Sequence, residues 1–447
     1  MVEKINPYNF VPLGDGPERG AYSGLERLRE NGYSGVLHCE LKVISPLISI
    51  DHRQAEDEEY QFLRTDKGKV IIQGSSLKGM TRAVYEALVD GCMPLAQTTY
   101  SGGDKSKKPY HYKDLKKHHG KECNSVDFLC RSCQLFGTIE GDKTHCQSRI
   151  RFTDAVLTSG GPRTEKCHLR TLLSPKPHHN QNYGLHGKGG GTIAGRKFYY
   201  HHDEATDFAL DRPTEYSKTI RDYAPHGALF SFNVHIQDLT PQELGQLILT
   251  LELDTGLGHK LGLGKAIGMG SCQITIKDDK SSIYHPKQRY GQWPRSEYSS
   301  SWREHKLSRS HLPKMLEQIL RLNKSRDGDI GYPNHQDYKS GYANRPIDKN
   351  GFFGEAGHAV TYSQAIVNKA PKPIQKGQEI EGELYKKGER WSAKFIGDKR
   401  EAIVINFREV PESTPDGARA EFFITEQSKR AGIKARFSKI INTSKDS

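Results

Sequence analysis

Long apolar segments are missing from this 447-residue sequence, in which only 34% of the residues are hydrophobic. No run of 18 apolar residues occurs, and a membrane-spanning helix needs about 20 of them in succession. The first ten residues also lack the apolar core of a signal peptide. These absences predict a cytoplasmic protein with no membrane partner, and its eight cysteines are expected to be thiols or metal ligands instead of disulfides.

Acidic residues are too few to balance the basic ones. The sequence has 54 Asp and Glu against 66 Lys and Arg, which gives a formal net charge of +12 and a pI near 9.1. An excess of this sign favours a polyanionic partner, because Lys and Arg neutralise phosphates and release their counterions. The length indicates two or three domains.

A glycine-rich segment at Gly256–Gly270 is the most informative run in the chain. It holds six glycines together with His259, Lys260 and Lys265. Glycine allows positive φ and a close approach of backbone to ligand, and lysines beside backbone N–H groups favour anion binding. The segment is no dinucleotide fingerprint, because its glycine spacing is one residue too long and it follows a helix instead of a strand. We interpret it as a contact to a nucleic-acid backbone; a flexible turn is the alternative.

Alternating and helical patterns predict an α+β core of ferredoxin-like (RRM-like) type, in the order β-α-β-β-α-β. Strands are predicted over 35–43, 149–154, 230–237 and 271–277. One helix begins near Gly74 with Ser75 or Ser76 as its N-cap, and the other begins after Thr240 with Glu243 completing a capping box. Long insertions interrupt this core at about 90–147 and 158–228, so the predicted domain covers residues 1–280.

The remainder of the chain divides into two regions. Residues 281–350 are polar, with one helical patch at 312–322, and read as a linker region. Residues 351–447 contain five short strand candidates separated by turn signals. This pattern predicts a small all-β domain, a barrel of the oligonucleotide-binding type or a relative, which could equally serve as an interaction module.

A cysteine cluster in the first insertion predicts a structural Zn²⁺ site. Cys123, Cys130 and Cys133 have ligand-like spacing, and His119 lies just upstream. The rival fourth ligands are His111, His145 and Cys146. A redox role for the Cys-x-x-Cys pair is disfavoured because no thioredoxin-like context surrounds it.

Two further segments carry residues suited to RNA. The first predicted helix opens with Ser75, Ser76, Lys78 and Arg82, and a helix N-terminus attracts phosphate. The second insertion interleaves basic and aromatic residues, including His179, Arg196 and Lys197. Such a mixture is typical of single-strand binding, in which rings stack on bases and cations meet phosphates.

Four motifs in this order resemble the repeat-associated mysterious protein (RAMP) superfamily of CRISPR systems. They are Gln73-Gly-Ser-Ser-Leu-Lys-Gly79, Cys130-Arg-Ser-Cys-Gln-Leu-Phe-Gly137, Gly195-Arg-Lys-Phe-Tyr-Tyr-His-His202 and Gly262-Leu-Gly-Lys-Ala-Ile-Gly-Met-Gly270. The combination is most similar to the backbone subunits of type III effector complexes, and particularly to type III-D members. The long insertions and the C-terminal region depart from the minimal family pattern.

The resemblance implies a prokaryotic ribonucleoprotein subunit that coats guide RNA and pairs it with target RNA. Its other partners would be sibling RAMP subunits and a large polymerase-like subunit. The first helix and the glycine-rich segment would grip the guide, and the second insertion would form a thumb that enters the guide–target duplex.

The resemblance also implies target cleavage by an aspartate after the first strand, for which Asp51 is the nearest match. A carboxylate can act as a base toward a 2′-hydroxyl or hold Mg²⁺ or another divalent cation, and His52 could assist as an acid. The alternatives are a non-catalytic structural RNA-binding subunit and a stand-alone endoribonuclease that processes precursor RNA. The processing enzyme is disfavoured because the first helix contains no histidine. A zinc-stabilised nucleic-acid-binding protein outside CRISPR is the remaining alternative.

Overall fold

The computed structural model describes residues 2–5, 7–25, 28–51, 59–93, 123, 125–140, 144–170, 172, 184–185, 192–193, 195–202, 208–210, 213, 217–285, 300–322, 361–364, 379–388, 390–395, 401–416, 418–428 and 432–440. The chain forms two compact units, Val2–Gln364 and Ala365–Ser447. We refer to them as the core unit and the barrel unit.

Strands dominate the described part of the core unit. They are β1 (Val2–Ile5), β2 (Tyr8–Val11), β3 (Arg19–Gly20), β4 (Tyr33–Val43), β5 (Glu59–Tyr60), β6 (Ile71–Ile72), β7 (Leu129–Cys130), β8 (Thr138–Glu140), β9 (Thr144–Cys146), β10 (Ile150–Phe152), β11 (Ala155–Ser159), β12 (Cys167–Leu169), β13 (Gly184–Leu185), β14 (Thr192–Ile193), β15 (Arg196–Tyr199), β16 (Ala209–Leu210), β17 (Thr219–Ile220), β18 (Leu229–Leu239), β19 (His259–Lys260), β20 (Ser271–Ile276), β21 (Ser282–Tyr284) and β22 (Thr361–Gln364). The α-helices are α1 (Gly74–Leu88), α2 (Arg131–Phe136), α3 (Pro241–Glu252) and α4 (Lys314–Ile319).

The central sheet confirms the predicted ferredoxin-like fold. Its antiparallel order is β19-β20-β4-β18-β11-β6, and β10 also pairs with β18. The four predicted core strands therefore lie side by side in the order 271–277, 35–43, 230–237 and 149–154, which correspond to β20, β4, β18 and β10. In β4 the alternate residues Leu37, Cys39 and Leu41 are fully buried, because successive side chains of a strand point to opposite faces of the sheet.

The predicted N-cap of α1 is wrong. Gln73 occupies that position and makes no side-chain cap hydrogen bond, while Ser75 and Ser76 lie inside the helix. Asp154 accepts a hydrogen bond from the backbone N–H of Gly74 at 2.8 Å and so satisfies one of the unpaired groups at the helix start. The helix is thus capped by a residue 80 positions away in the sequence.

Helix α3 confirms the predicted capping box. The Thr240 hydroxyl accepts a hydrogen bond from the Glu243 N–H, and the Glu243 carboxylate accepts one from the Thr240 N–H. Residues 244–251 of this helix are all buried. Part of the predicted linker region covers α3, because Arg303 binds Glu252 at 2.6 Å and α4 contributes Leu316 to a shared apolar cluster.

The barrel unit contains the five predicted strands. They are β23 (Glu379–Lys387), β24 (Arg390–Phe395), β25 (Glu401–Val404), β26 (Ala418–Ser428) and β27 (Gly432–Ile440). They close into a barrel in the order β23-β24-β25-β27-β26, with β25 and β27 parallel. A closed barrel of five strands confirms the small all-β fold predicted for this region.

None of the helices in the described ranges is both long and apolar enough to cross a bilayer.

Candidate nucleic-acid interface

Separated segments converge on one cleft of the core unit, with a volume of about 570 Å³. Helix α1, strand β15 and the glycine-rich segment supply most of its lining, and residues 48–50 and Leu320 complete it. Lys197, Lys260 and Lys265 line it, and we call it the lysine cleft. Among the described residues that line it, lysine is the only charged type. The structure therefore brings together residues from the three segments that the sequence singled out.

The side chains around these lysines suit a single-stranded ligand. Ser49, Gln73 and Ser76 offer polar groups, and Phe198 and Tyr199 offer aromatic rings. Bases stack on aromatic rings, whereas phosphates meet cations and hydrogen-bond donors.

The glycine-rich segment has the predicted positive φ. Its glycines allow close packing against the backbone of neighbouring segments of the same chain. Gly262 has φ +81°, and a Cβ there would lie 2.3 Å from the Ile48 carbonyl oxygen. Gly270 has φ +78°, and a Cβ there would lie 2.0 Å from the Leu261 carbonyl oxygen. The N–H groups of Leu261 and Gly270 donate to backbone carbonyls. The segment is thus a rigid wall, and its lysine side chains carry its positive charge.

Burial lowers the pKa of two of the cleft lysines, Lys197 and Lys265. It lowers the pKa of Lys197 to about 8, because a partly buried ammonium loses hydration. The Lys197 Nζ lies 3.8 Å from the centroid of the Tyr8 ring and 5.1 Å from that of Tyr199. Burial also lowers the pKa of Lys265. A phosphate bound near these two ammonium groups would stabilise their charged forms and so replace part of the hydration that burial removes.

His259 belongs to the wall of the cleft, and only 1% of its surface is exposed. Its Nε2 lies 2.9 Å from the Leu251 carbonyl oxygen, and its Nδ1 finds no hydrogen-bond partner among the described residues. Burial lowers the pKa of this ring to about 4, so it is neutral at pH 7. A neutral, covered ring supports the segment and adds no charge to the cleft.

Arg82 and Arg196 lie behind the cleft wall. Arg82 donates to Glu86 at 2.7 Å and to the Cys133 sulphur at 3.6 Å. Arg196 is buried, and its guanidinium donates to the Gly91 carbonyl oxygen and lies 3.5 Å from Glu86. The two arginines therefore share Glu86, and Arg196 ties β15 to α1 next to Lys197.

A second cleft of about 650 Å³ lies on the other side of the α1 N-terminus. Ser75 and Lys78 line it together with Arg151 and His235. Ser75 and Lys78 are three positions apart on α1 and share one face of the helix, because residues three or four apart are neighbours on a helix surface. Ser76 directly follows Ser75 and therefore faces the lysine cleft instead. Burial, reinforced by the nearby Arg82, lowers the pKa of Lys78. Of the predicted RNA-binding residues of α1, Ser76 thus lines the lysine cleft, Ser75 and Lys78 line the second cleft, and Arg82 lines neither.

Asp51 follows the residues Ile48–Ile50 that line the lysine cleft. Its side chain is buried, with 3% of the residue exposed, and its N–H donates to the Gln61 carbonyl oxygen at 3.1 Å. The predicted catalytic partner His52, the predicted zinc ligand His119 and the predicted RNA-binding residue His179 lie outside the described residues.

Four cysteines form a candidate metal centre in the core unit. They are Cys92, Cys123, Cys130 and Cys133; all are buried, and their sulphur atoms lie within 4.8 Å of one another. Tetrahedral zinc sites place sulphurs about 3.8 Å apart, since Zn–S bonds are about 2.3 Å long. The set therefore fits a zinc site made of four cysteine ligands, and Cys92 supplies the fourth sulphur.

Hydrogen-bond donors surround these sulphurs. Arg19 donates to the Cys123 sulphur at 2.9 Å, and the Cys130 N–H donates to the same sulphur at 3.2 Å. Such partners stabilise the thiolates that metal binding requires.

The sequence interpretation overlooked Cys92 because 31 residues separate it from Cys123. The rival Cys146 is buried beside the cluster but outside the set of four, and the rival His145 is exposed. One signal could have identified Cys92: the insertion begins near residue 90, and the two ends of an insertion must meet in space. A cysteine at its start is therefore close to cysteines near its end.

Comparison with known proteins identifies the family of this chain. No curated protein matches the chain. Among solved structures, a protein from vaccinia virus (Wisconsin strain) is 13% identical, and the match covers 16% of this chain and 99% of that one with a TM-score of 0.15. The model of the RAMP superfamily matches residues 40–273, more than half of the chain, from the first strand of the ferredoxin-like core to the last. The chain, whose ferredoxin-like core holds the lysine cleft, therefore belongs to the RAMP superfamily.

Proposed function

We propose that this protein is an RNA-binding subunit of a CRISPR ribonucleoprotein and that the guide RNA backbone lies in the lysine cleft. The observation that carries the proposal is the convergence of Lys197, Lys260 and Lys265 from two separate segments on a cleft whose described lining holds no acid. Membership of the RAMP superfamily supports the same conclusion.

In this proposal the cleft recognises the RNA by charge and by stacking. The lysine ammonium groups pair with phosphates, Ser76 donates from α1, and Tyr199 or Phe198 packs against a base. None of these contacts reads a base edge, so binding is independent of sequence, as a subunit that accepts many guides requires. Arg82, Arg196 and His259 act as positioning residues, because Arg82 holds Glu86, Arg196 joins β15 to α1 through Glu86, and His259 supports the glycine-rich segment.

The finer assignment is a backbone subunit of a type III complex, most similar to type III-D. The second cleft supports this assignment, because the two clefts flank the same helix N-terminus. Ser75 and Lys78 line the second cleft on one side of α1, and Ser76 lines the lysine cleft on the other side. An RNA strand that crosses this N-terminus would occupy both clefts. Its remaining partners would be target RNA, sibling RAMP subunits and the large polymerase-like subunit.

RNA affinity is expected to fall as the pH rises above 8. Lys197 has a pKa of about 8 in the free protein, and a bound phosphate raises that pKa, so binding above pH 8 requires uptake of a proton. The dissociation constant should therefore rise by up to about tenfold per pH unit between pH 8 and 10. Fluorescence anisotropy with a labelled single-stranded RNA at constant ionic strength measures this dependence.

Lys197→Arg is the matched control for this experiment, because arginine stays protonated over the whole range. We expect a shallower pH dependence in this variant. Identical pH profiles for the two proteins would contradict a phosphate contact by Lys197.

Target cleavage through Asp51 stays a prediction. The position of Asp51 directly after the cleft-lining residues Ile48–Ile50 supports it, and the burial of its carboxylate requires that RNA binding expose it. Asp51→Ala in the assembled complex should abolish one cut while leaving target affinity nearly unchanged, since the carboxylate contributes mainly in the transition state. Mapping of the cleavage products by position measures this, with a divalent cation present.

The exposed Asp66, in the turn before Lys69, offers a matched control. Asp66→Ala should preserve every cut. A target with a 2′-deoxy nucleotide at the cleavage position should bind and resist cutting. If Asp51→Ala yields every wild-type fragment at the wild-type rate, Asp51 is not catalytic, and the protein is a structural subunit or cuts with another residue.

For the metal centre, we propose that zinc binds the four cysteines. The bound metal would also stabilise the residues behind the wall of the lysine cleft, Arg82, Glu86 and Arg196. The Cys133 sulphur contacts Arg82, Arg82 binds Glu86, and Glu86 lies 3.5 Å from Arg196, the residue before Lys197. When bound, the metal would supply structural cross-linking, since four protein ligands leave no open position for catalysis.

A further inference from the structure

The described part of the barrel unit exposes three large apolar side chains. Ile403 is 49% exposed, Ile405 is 47% exposed and Phe423 is 39% exposed. Ile403 lies on β25, Ile405 follows that strand directly, and Phe423 lies on β26. Only β27 separates these two strands in the closed barrel, so the three side chains occupy one side of it.

Basic residues of β27 lie between these apolar residues. Lys434 pairs with Ile403 across the strands, and Arg436 pairs with Phe423. We call Ile403, Ile405, Phe423, Lys434 and Arg436 the barrel patch. Arg436 lies 3.7 Å from Glu409, and both side chains are more than half exposed, so this ion pair constrains the guanidinium little.

The barrel does not need these apolar residues for its own core. A different set fills the interior, including Trp391, Phe422 and Phe437. A register shift between Glu421 and Phe422 interrupts the pairing of β26 with β27, and Phe422 is fully buried while Phe423 is exposed. Exposed apolar side chains grouped on one surface indicate a binding site.

The charge of the barrel unit indicates a polyanionic ligand. Residues 365–447 contain 17 Lys and Arg against 12 Asp and Glu. A ligand for the barrel patch must combine negative charge with flat or apolar groups at short intervals. Single-stranded RNA has this combination, because each nucleotide carries one phosphate and one base.

We propose that the barrel patch binds a single-stranded segment of RNA. Phe423 stacks on a base, Arg436 and Lys434 pair with the flanking phosphates, and Ile403 and Ile405 cover the adjoining sugar or base. This surface is separate from the lysine cleft, and it would give the protein a second RNA contact whose strength does not depend on the first.

The test is photocrosslinking of the full chain to a single-stranded oligouridine that carries photoreactive uridines, with crosslinked peptides mapped by mass spectrometry. We expect crosslinks to peptides from residues 418–440. The double variant Phe423→Ala/Arg436→Gln should reduce their yield by about fivefold or more, because a stacked base and a phosphate contact are both lost. Lys386→Gln removes an exposed charge from β23 and should leave the yield unchanged.

Two further variants separate this proposal from the function of the cleft. Lys197→Gln/Lys265→Gln should remove crosslinks to the core unit and leave those to the barrel. Arg436→Gln alone changes an exposed residue without altering the apolar surface, and it should lower the barrel crosslinks with an unchanged thermal melt. Crosslinks confined to the core unit, or barrel crosslinks of equal yield in the double variant, would overturn the proposal, as would protection of the barrel patch by an acidic protein and not by RNA.

Discussion

Cys92→Ala is expected to remove one bound zinc ion per chain and to lower the melting temperature by about 5 °C or more. Cys92 belongs to the set of four sulphurs that lie within 4.8 Å of one another, and a structural zinc site loses much of its affinity when one of its four ligands is removed. Metal analysis of the purified protein, together with a thermal melt, measures both effects.

Cys146→Ala is the matched control, because Cys146 is a buried cysteine beside the cluster but outside the set of four. This variant should retain about one zinc ion per chain. Loss of zinc from Cys146→Ala with retention in Cys92→Ala would make Cys146 the fourth ligand. A wild-type protein that folds normally and binds no metal after zinc supplementation would reject the site.

Lys197→Gln/Lys265→Gln is expected to weaken single-stranded RNA binding by about a hundredfold at moderate salt. A hydrogen bond to a charged group contributes about 1.5–3 kcal/mol, which is tenfold or more for each lysine. Both side chains line the cleft, and no acidic residue lines it among those described, so their contributions to phosphate binding add. Anisotropy titrations with a labelled RNA measure the loss.

Lys67→Gln/Lys69→Gln removes the same formal charge from an exposed turn of the core unit. This control should bind RNA within a few-fold of the wild type. If both double variants lose the same affinity, the RNA responds to net charge alone and the lysine cleft is not its site.

Local patterns were sufficient for much of the fold. The alternation in β4 and the Thr240–Glu243 capping box depend on residues close together in sequence, and the structure confirms both. The five barrel strands were predictable for the same reason, since each strand candidate lies between turn signals in the sequence. The spacing of Cys130 and Cys133 likewise pointed to a metal centre.

The remaining features depend on contacts between distant segments. Asp154 caps α1 from another part of the sheet, and Cys92 reaches the cluster from the end of that helix. Tyr8 meets Lys197 only because β2 pairs with β15. Arg196 belongs to a basic and aromatic run that resembled an RNA-binding surface, yet tertiary packing buries it against Glu86. A sequence pattern predicts which residues of one helix or strand share a face. It does not predict which residues from distant segments will contact them.

The salt dependence of RNA binding tests the central claim most directly. Each phosphate neutralised on a single strand contributes about 0.7 to the slope of log affinity against log salt concentration. The wild type and Lys197→Gln/Lys265→Gln should therefore differ in slope by about 1.4, with the wild type the steeper. Two parallel lines would show that neither lysine meets a phosphate and would contradict RNA binding in the lysine cleft.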